Sequence, residues 1–420
     1  MNRVKLLSPA GSFESLQAAI QAGADAVYFG IDQLNMRSRS NNNFSIDDLS
    51  KIVEICSGKK VKTYLTLNTI IYDHDVSLMK QIINAAKDNK VDAIIACDQA
   101  VLGYAKKTGM PVHISTQANV SNIESVEFFS AFADTIVLAR ELSLLQVGDI
   151  VKQVKRAAIK GPSGELIKIE VFAHGALCMA ISGKCYLSLH SHNASANRGA
   201  CIQNCRRTYI VKDKEEEEIE FEIDNEYIMS SKDLCTIDFM DKIIDSGVHI
   251  LKIEGRGRSA DYVHATTKCY REAIDSYYEK TYTKEKIVEW KSQLSTVFNR
   301  DFWGGYYLGK KMGEWSDEYG SKATKKKIYI GKGIKYFSEK NIAEFKLESN
   351  QLAVGNNIMV IGPTTGIVQG RITELRIQNS QVNAVNKGDV FSFPLSEKIR
   401  PSDKLYKVIE SGEIEKIVNS

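Results

Sequence analysis

Five cysteines carry the most distinctive chemistry in this chain: Cys178, Cys185, Cys201, Cys205 and Cys235, spaced C-x6-C-x15-C-x3-C-x29-C. Only Cys201 and Cys205 approach the close pairs typical of zinc fingers and ribbons. Sites made of thiolates alone select zinc or an iron–sulfur cluster. A cluster needs four thiolates on chain able to wrap a body larger than one ion. The wide spacings suit a cluster slightly better, and they leave zinc, or no metal, open. Cys56, Cys97 and Cys269 fall in expected helix or strand and read as small packed apolar side chains.

Other reactive types lie near these thiols in sequence. His174 precedes Cys178 and could serve it as a base in nucleophilic catalysis, although five clustered thiols favour metal binding. His190 and His192 read as surface or substrate-contacting groups. Glu170, His174 and Glu254 are candidates for proton handling or orientation. Arg140, Arg198, Arg206, Arg207, Arg256 and Arg258 suit an anionic partner, phosphate or carboxylate, through bidentate guanidinium contacts. The run Lys325–Lys327 adds a basic stretch, and Glu215–Glu218 reads as a solvated loop or hairpin tip. The hydrolase signatures H-E-x-x-H and G-x-S-x-G are absent.

Something must hold these residues together, and the chain is long enough to do it. At 420 residues, 43% apolar and 25% charged, it reads as a globular protein of two or three domains. The net charge of +3 decides nothing by itself. No signal peptide is evident, and no apolar run approaches the roughly 18 residues of a membrane span. The expected location is therefore cytoplasmic, where thiols stay reduced and clustered cysteines bind metal or catalyse.

Short β-rich runs at 4–9, 26–31, 61–68, 92–98, 112–117, 135–140, 169–175 and 249–255 alternate with helical patterns. Eight such units predict an α/β fold, a TIM-like (β/α)8 barrel, with an open doubly wound sheet as the alternative. Most runs end in polar or glycine-containing clusters, which a barrel gathers on one face. Residues 1–290 are assigned to this barrel, with a long cysteine-bearing insertion at about 178–235. The stretch "SSKDLCTIDFMDKIIDSG", which carries Cys235, is expected to be helical. A connecting segment, 291–324, contains the glycine- and aromatic-rich "STVFNRDFWGGYYLGKK", read as a loop. Residues 325–420 are expected to form a small all-β barrel.

Glu170-x-Phe172-x-x-Gly175-Ala176-Leu177-Cys178 followed by Ser182-Gly183-Lys184-Cys185-x-Leu187-Ser188 resembles the signature of peptidase family U32, the collagenase-like family. "NRGACIQNCRR", "SKDLC", "LKIEGR" and "FNRDFWGGYY" resemble its later blocks, so the likeness runs from about residue 4 to 410. The resemblance implies oxygen-independent hydroxylation, in different branches of tRNA, of ribosomal RNA or in ubiquinone biosynthesis. It implies a 4Fe–4S cluster with Cys178, Cys185 and Cys201 as ligands and either Cys205 or Cys235 as the fourth. In the RNA branches it implies prephenate as hydroxyl donor. The β domain and "NRGACIQNCRR" resemble the tRNA branch, which makes 5-hydroxyuridine at the wobble position.

The expected partner is therefore tRNA, with Lys325–Lys327 and the β domain against its backbone and no membrane involved. A homo-oligomer or a hetero-oligomer with a paralogue is compatible with this. A collagenase-like peptidase and a zinc-stabilised RNA-binding module without catalysis are the alternative readings.

Overall fold

The computed structural model describes every residue except 1–2, 40–42, 179, 183, 208–210, 213–214, 216–219, 222–229, 310–312, 317–319, 379 and 413–420. Most of the acidic run, Gly183 of the signature and the end of the β domain therefore lie outside the described residues.

Eight parallel strands close on themselves: β1 Lys5–Pro9, β2 Ala26–Phe29, β3 Lys62–Leu67, β4 Ala93–Ala96, β5 Val112–Ile114, β6 Thr135–Val137, β7 Lys168–Ala176 and β8 Ile250–Ile253. The last strand pairs with both β1 and β7, aligning Ile250 with Lys5 on one side and with Glu170 on the other. These strands are buried along nearly their whole length because helices cover them outside and side chains fill them inside. The helices are α1 Phe13–Gln21, α2 Leu49–Ser57, α3 Val76–Asp88, α4 Gln99–Thr108, α5 Ile123–Ser130, α6 Leu144–Arg156, α7 Met240–Asp245 and α8 Ala260–Tyr278. Several of the polar strand ends serve as helix caps. Asp98 accepts from the Ala100 amide at 2.9 Å, and Ser115 caps the short turn that follows β5.

The stretch around Cys235 differs from the helical expectation. Asp233–Cys235 is a strand that runs back antiparallel to the end of β7, aligning Leu234 with Gly175 and Cys235 with His174. β7 is nine residues long and overhangs the rim, leaving backbone groups that the returning strand satisfies. The helix begins only at Met240. Phe302–Trp303, read as loop, adds a further short parallel strand beside Asp233–Leu234. α9, Lys284–Ser295, runs through residue 290, where the sequence reading closes the barrel.

From Lys325 onward an eight-stranded antiparallel sheet surrounds its own core of Ile330, Phe345, Leu347, Phe391, Phe393 and Leu405. It docks on α1, where Gln21 donates to the Thr365 carbonyl at 2.7 Å and accepts from the Ile367 amide at 3.0 Å. Gly366 lies between them at φ +70°, where an added Cβ would stand 2.2 Å from the Gln21 Oε1. Lys327 pairs with Asp261 of α8 and Lys325 lies 3.7 Å from Glu410. The basic run thus spends one lysine on the domain junction and a second inside its own sheet. Among the described residues no helix is long and apolar enough to cross a membrane.

Candidate active site at the barrel mouth

The barrel interior is built in layers. Leu7, Ala26, Tyr28, Tyr64, Ala93, Ile95 and Ile250 form an apolar layer. Against it lies a charged group: Lys252 Nζ is 2.9 Å from Glu170, and His113 Nδ1 is 3.7 Å from the other Glu170 oxygen. The ammonium of Lys252 also sits 4.6 Å from the Tyr28 ring centre, and the His113 ring is 4.3 Å from that of Tyr64. Burial alone raises the Glu170 carboxyl, but Lys252 and His113 outweigh it and hold the group below its usual range. Glu170 is fully buried, so it acts inside the wall rather than at an open surface.

The mouth lies above this layer. Glu254 accepts from Arg37 at 3.3 Å and from the Tyr28 hydroxyl at 3.3 Å. Burial raises its carboxyl, and Arg37, Arg140 and Arg256 together pull it down, so it is ionised at neutral pH. Arg256 is 3% exposed and donates to Thr66 and Asn35; burial brings its pKa down to about 10, which leaves it cationic. Gly30 makes room for it, since a Cβ there would stand 2.2 Å from Nη1. Arg140 lies 4.0 Å over the Phe172 ring and donates to the Ala176 carbonyl at 3.3 Å. Three guanidinium groups therefore face one carboxylate, an excess of positive charge suited to an anion. Arg37 was not singled out from sequence. It sits in the loop after β2, so its position at the strand-end face is the signal that could have identified it.

The remaining candidates are placed elsewhere. Successive residues of β7 alternate inward and outward until the register shifts beside Lys252 and Ile253. Past that irregularity His174 packs outside the barrel wall, against Tyr262 and Tyr270 of α8 and against Phe302, rather than opening onto the mouth. Burial, assisted by Arg258, pushes its pKa down to about 3, so the imidazole is neutral and stands 3.3 Å from the Tyr270 hydroxyl. It is thus not presented to Cys178, which is exposed. Arg258 packs 3.6 Å over Phe298. Arg198 pairs with Asp75, donates to the Ile70 carbonyl at 2.8 Å and stacks 4.1 Å over Tyr72. Arg206 donates to the carbonyls of Leu177 and Ser231, each at 2.7 Å. These last two pin the insertion to the barrel, and Arg207 is exposed.

The thiols separate into two groups. Burial raises the Cys205 thiol, Arg206 counteracts it, and Cys178, Cys201 and Cys185 each raise it further, which puts these three within electrostatic reach of Cys205. Arg37, whose charge Glu254 sustains against burial, also feels Cys201, so the thiol loop adjoins the mouth. Cys235 lies apart, buried beside the Tyr270 hydroxyl at 3.8 Å, and burial brings its pKa to about 11. Among the described residues no three His, Cys, Asp or Glu side chains are gathered to hold a metal ion. Four thiols on one loop, three of them within electrostatic reach of Cys205, still match a four-thiolate group in donor type and number.

Gly199 fastens this loop to the mouth. It adopts φ +82°, and a Cβ there would stand 2.3 Å from the Asn35 carbonyl oxygen and 2.4 Å from Ser38 Oγ. Gly199→Ala should cost about 1–3 kcal/mol for the backbone strain alone. Limited trypsin digestion should then cut faster at Arg206 and Arg207; an unchanged digestion pattern would show that this contact does not secure the loop.

Comparison with known proteins agrees with the architecture. Residues 11–317 match Peptidase family U32. The chain is 55% identical over 407 residues to a Porphyromonas gingivalis protein named "Collagenase", covering 97% of this chain and 98% of that one. It is 30% identical over 412 residues to the Bacillus subtilis "tRNA hydroxylation protein P1", covering 96% and 94%. It is 36% identical over 280 residues to the Escherichia coli "23S rRNA 5-hydroxycytidine C2501 synthase", covering 66% of this chain and 40% of the longer relative. With a family match over most of its length and a barrel of the expected topology, this chain belongs to peptidase family U32.

Proposed function

We propose that the protein is an RNA hydroxylase that converts the wobble uridine of tRNA to 5-hydroxyuridine without molecular oxygen, with prephenate as hydroxyl donor. The observation that carries this reading is the meeting of four thiols with a guanidinium-lined barrel mouth. The tRNA and ribosomal RNA hydroxylation relatives support it. In this proposal Cys178, Cys185, Cys201 and Cys205 hold a 4Fe–4S cluster. A bound cluster supplies one-electron chemistry beside the mouth. Arg37 and Arg256 bind and orient a carboxylate-bearing donor. Glu254, kept ionised by those arginines, positions them and limits the total positive charge. Lys252, Glu170 and His113 form the charged floor that fixes β7 and β8 beneath the site.

Deleting the gene and any redundant paralogue should remove 5-hydroxyuridine from bulk tRNA, as read by nucleoside mass spectrometry. Unchanged modification would sink this reading. A collagenase-like peptidase is the second reading, supported by the name of the Porphyromonas gingivalis relative. Cleavage of collagen-like peptides by colourless, iron-free protein would reverse the order of the two.

A further inference from the structure

The aromatic segment after the barrel meets the thiol loop at a pocket beside the mouth, with Cys178 in its wall. Arg140, Glu141, Cys178, Trp303, Tyr306 and Trp315 are the side chains that shape it. Trp303 is a fixed wall: it is 5% exposed, and its Nε1 donates to the Lys232 carbonyl at 3.1 Å. Tyr306 stands edge-on to it with ring centres 5.3 Å apart at 77°. Gly313 lies against both rings: a Cβ there would stand in ordinary contact, 3.4 Å from the Trp315 indole and 3.6 Å from the Tyr306 phenol oxygen. The pocket holds about 30 Å³, room for water rather than for a ring. A planar ligand must therefore part Tyr306 from Trp315, both of which are partly exposed.

The polar end identifies the ligand class. Arg140 Nε is buried and has no hydrogen-bond partner among the described residues. Beside it, Glu141 is exposed and supplies an acceptor. A guanidinium next to a carboxylate disfavours a dianion and suits a neutral ring edge that both accepts and donates. Aromatic walls bind such rings by stacking, at about 1–3 kcal/mol per base. Chemistry on a base requires it to leave its stack and enter a pocket of this kind.

We infer that this pocket receives the target pyrimidine of the RNA, everted from its loop, with Tyr306 and Trp315 against its faces and Arg140 and Glu141 at its edge. The inference rests on the RNA reading above and assigns the base and the anionic donor to separate subsites.

Fluorescence anisotropy with an RNA stem-loop carrying either uridine or an abasic site at the first anticodon position tests it directly, using the full chain. The uridine loop should bind about tenfold more tightly than the abasic loop. Tyr306→Ala should remove that difference while both loops still bind, and 4-thiouridine at the same position should photo-crosslink to the Trp303–Tyr306 peptide. Equal binding of the two loops by the unsubstituted protein, with no crosslink in that peptide, overturns the pocket and leaves the RNA reading intact. Failure to bind either loop overturns the RNA reading and the pocket with it.

Discussion

Cys205→Ser is expected to strip iron and sulfide from the anaerobically purified protein, whereas Cys235→Ser should leave both near the unsubstituted level. Cys205 has Cys178, Cys185 and Cys201 within electrostatic reach, while Cys235 is packed on the far side of β7 beneath Tyr270. Loss of a ligand should cost more than the roughly 10–100-fold in affinity that loss of an outer partner costs. Cys235→Ser places a hydroxyl where a buried thiol stood, so its effect should be a modest loss of stability. Iron and sulfide quantification, with circular dichroism to verify folding, separates the two. Iron lost from a folded Cys235→Ser protein and kept by Cys205→Ser would exchange the assignments.

Lys252→Met should destabilise the protein by about 3–5 kcal/mol, because it leaves the Glu170 carboxylate buried with its main charge partner gone. Adding Glu170→Gln should recover part of that loss, which denaturant midpoints would show. The same network predicts acid sensitivity. Glu170 has a folded pKa below its unfolded value of about 4.3, so its contribution is present above that pH and is lost as pH falls through the folded value. His174 acts with the same sign: its folded pKa of about 3 lies below an unfolded value of about 6.5, so its share drains away between the two. Stability should therefore decline below about pH 6.5, and His174→Phe should flatten the upper part of that decline. A stability profile that is level down to pH 4 in the unsubstituted protein would contradict the His174 assignment.

Local patterns were enough to find the barrel. Strands such as Ala93–Ala96 are continuous apolar runs, and caps such as Asp98 and Ser143 sit at the starts of their helices. They failed around Cys235, where "DLC" has strand character only because the overhanging end of β7 offers it a ladder. They also misdirected His174: alternation along β7 predicts an inward side chain, and a register shift against β8 turns it outward. Arg198 and Arg206 looked like anion binders, and their charge is instead spent on Asp75 and on backbone carbonyls. Arginine type alone cannot distinguish a clamp from a ligand, since one guanidinium chemistry serves both.

The sequence by itself determined the donor chemistry, a set of thiols, and the eight-unit alternation that must carry it, because residue type and hydrophobic period are local properties. Which thiols lie within reach of Cys205 was decided only by the tertiary structure. Cys205 is carried to Cys178, Cys185 and Cys201 by an insertion fastened through Gly199, Arg198 and Arg206, while Cys235 is drawn into the wall by strand pairing. The same holds for Arg37, which meets Glu254 across 217 residues of chain. Closure of the barrel brings these distant strand ends to one face, and no spacing read along the chain contains that distance.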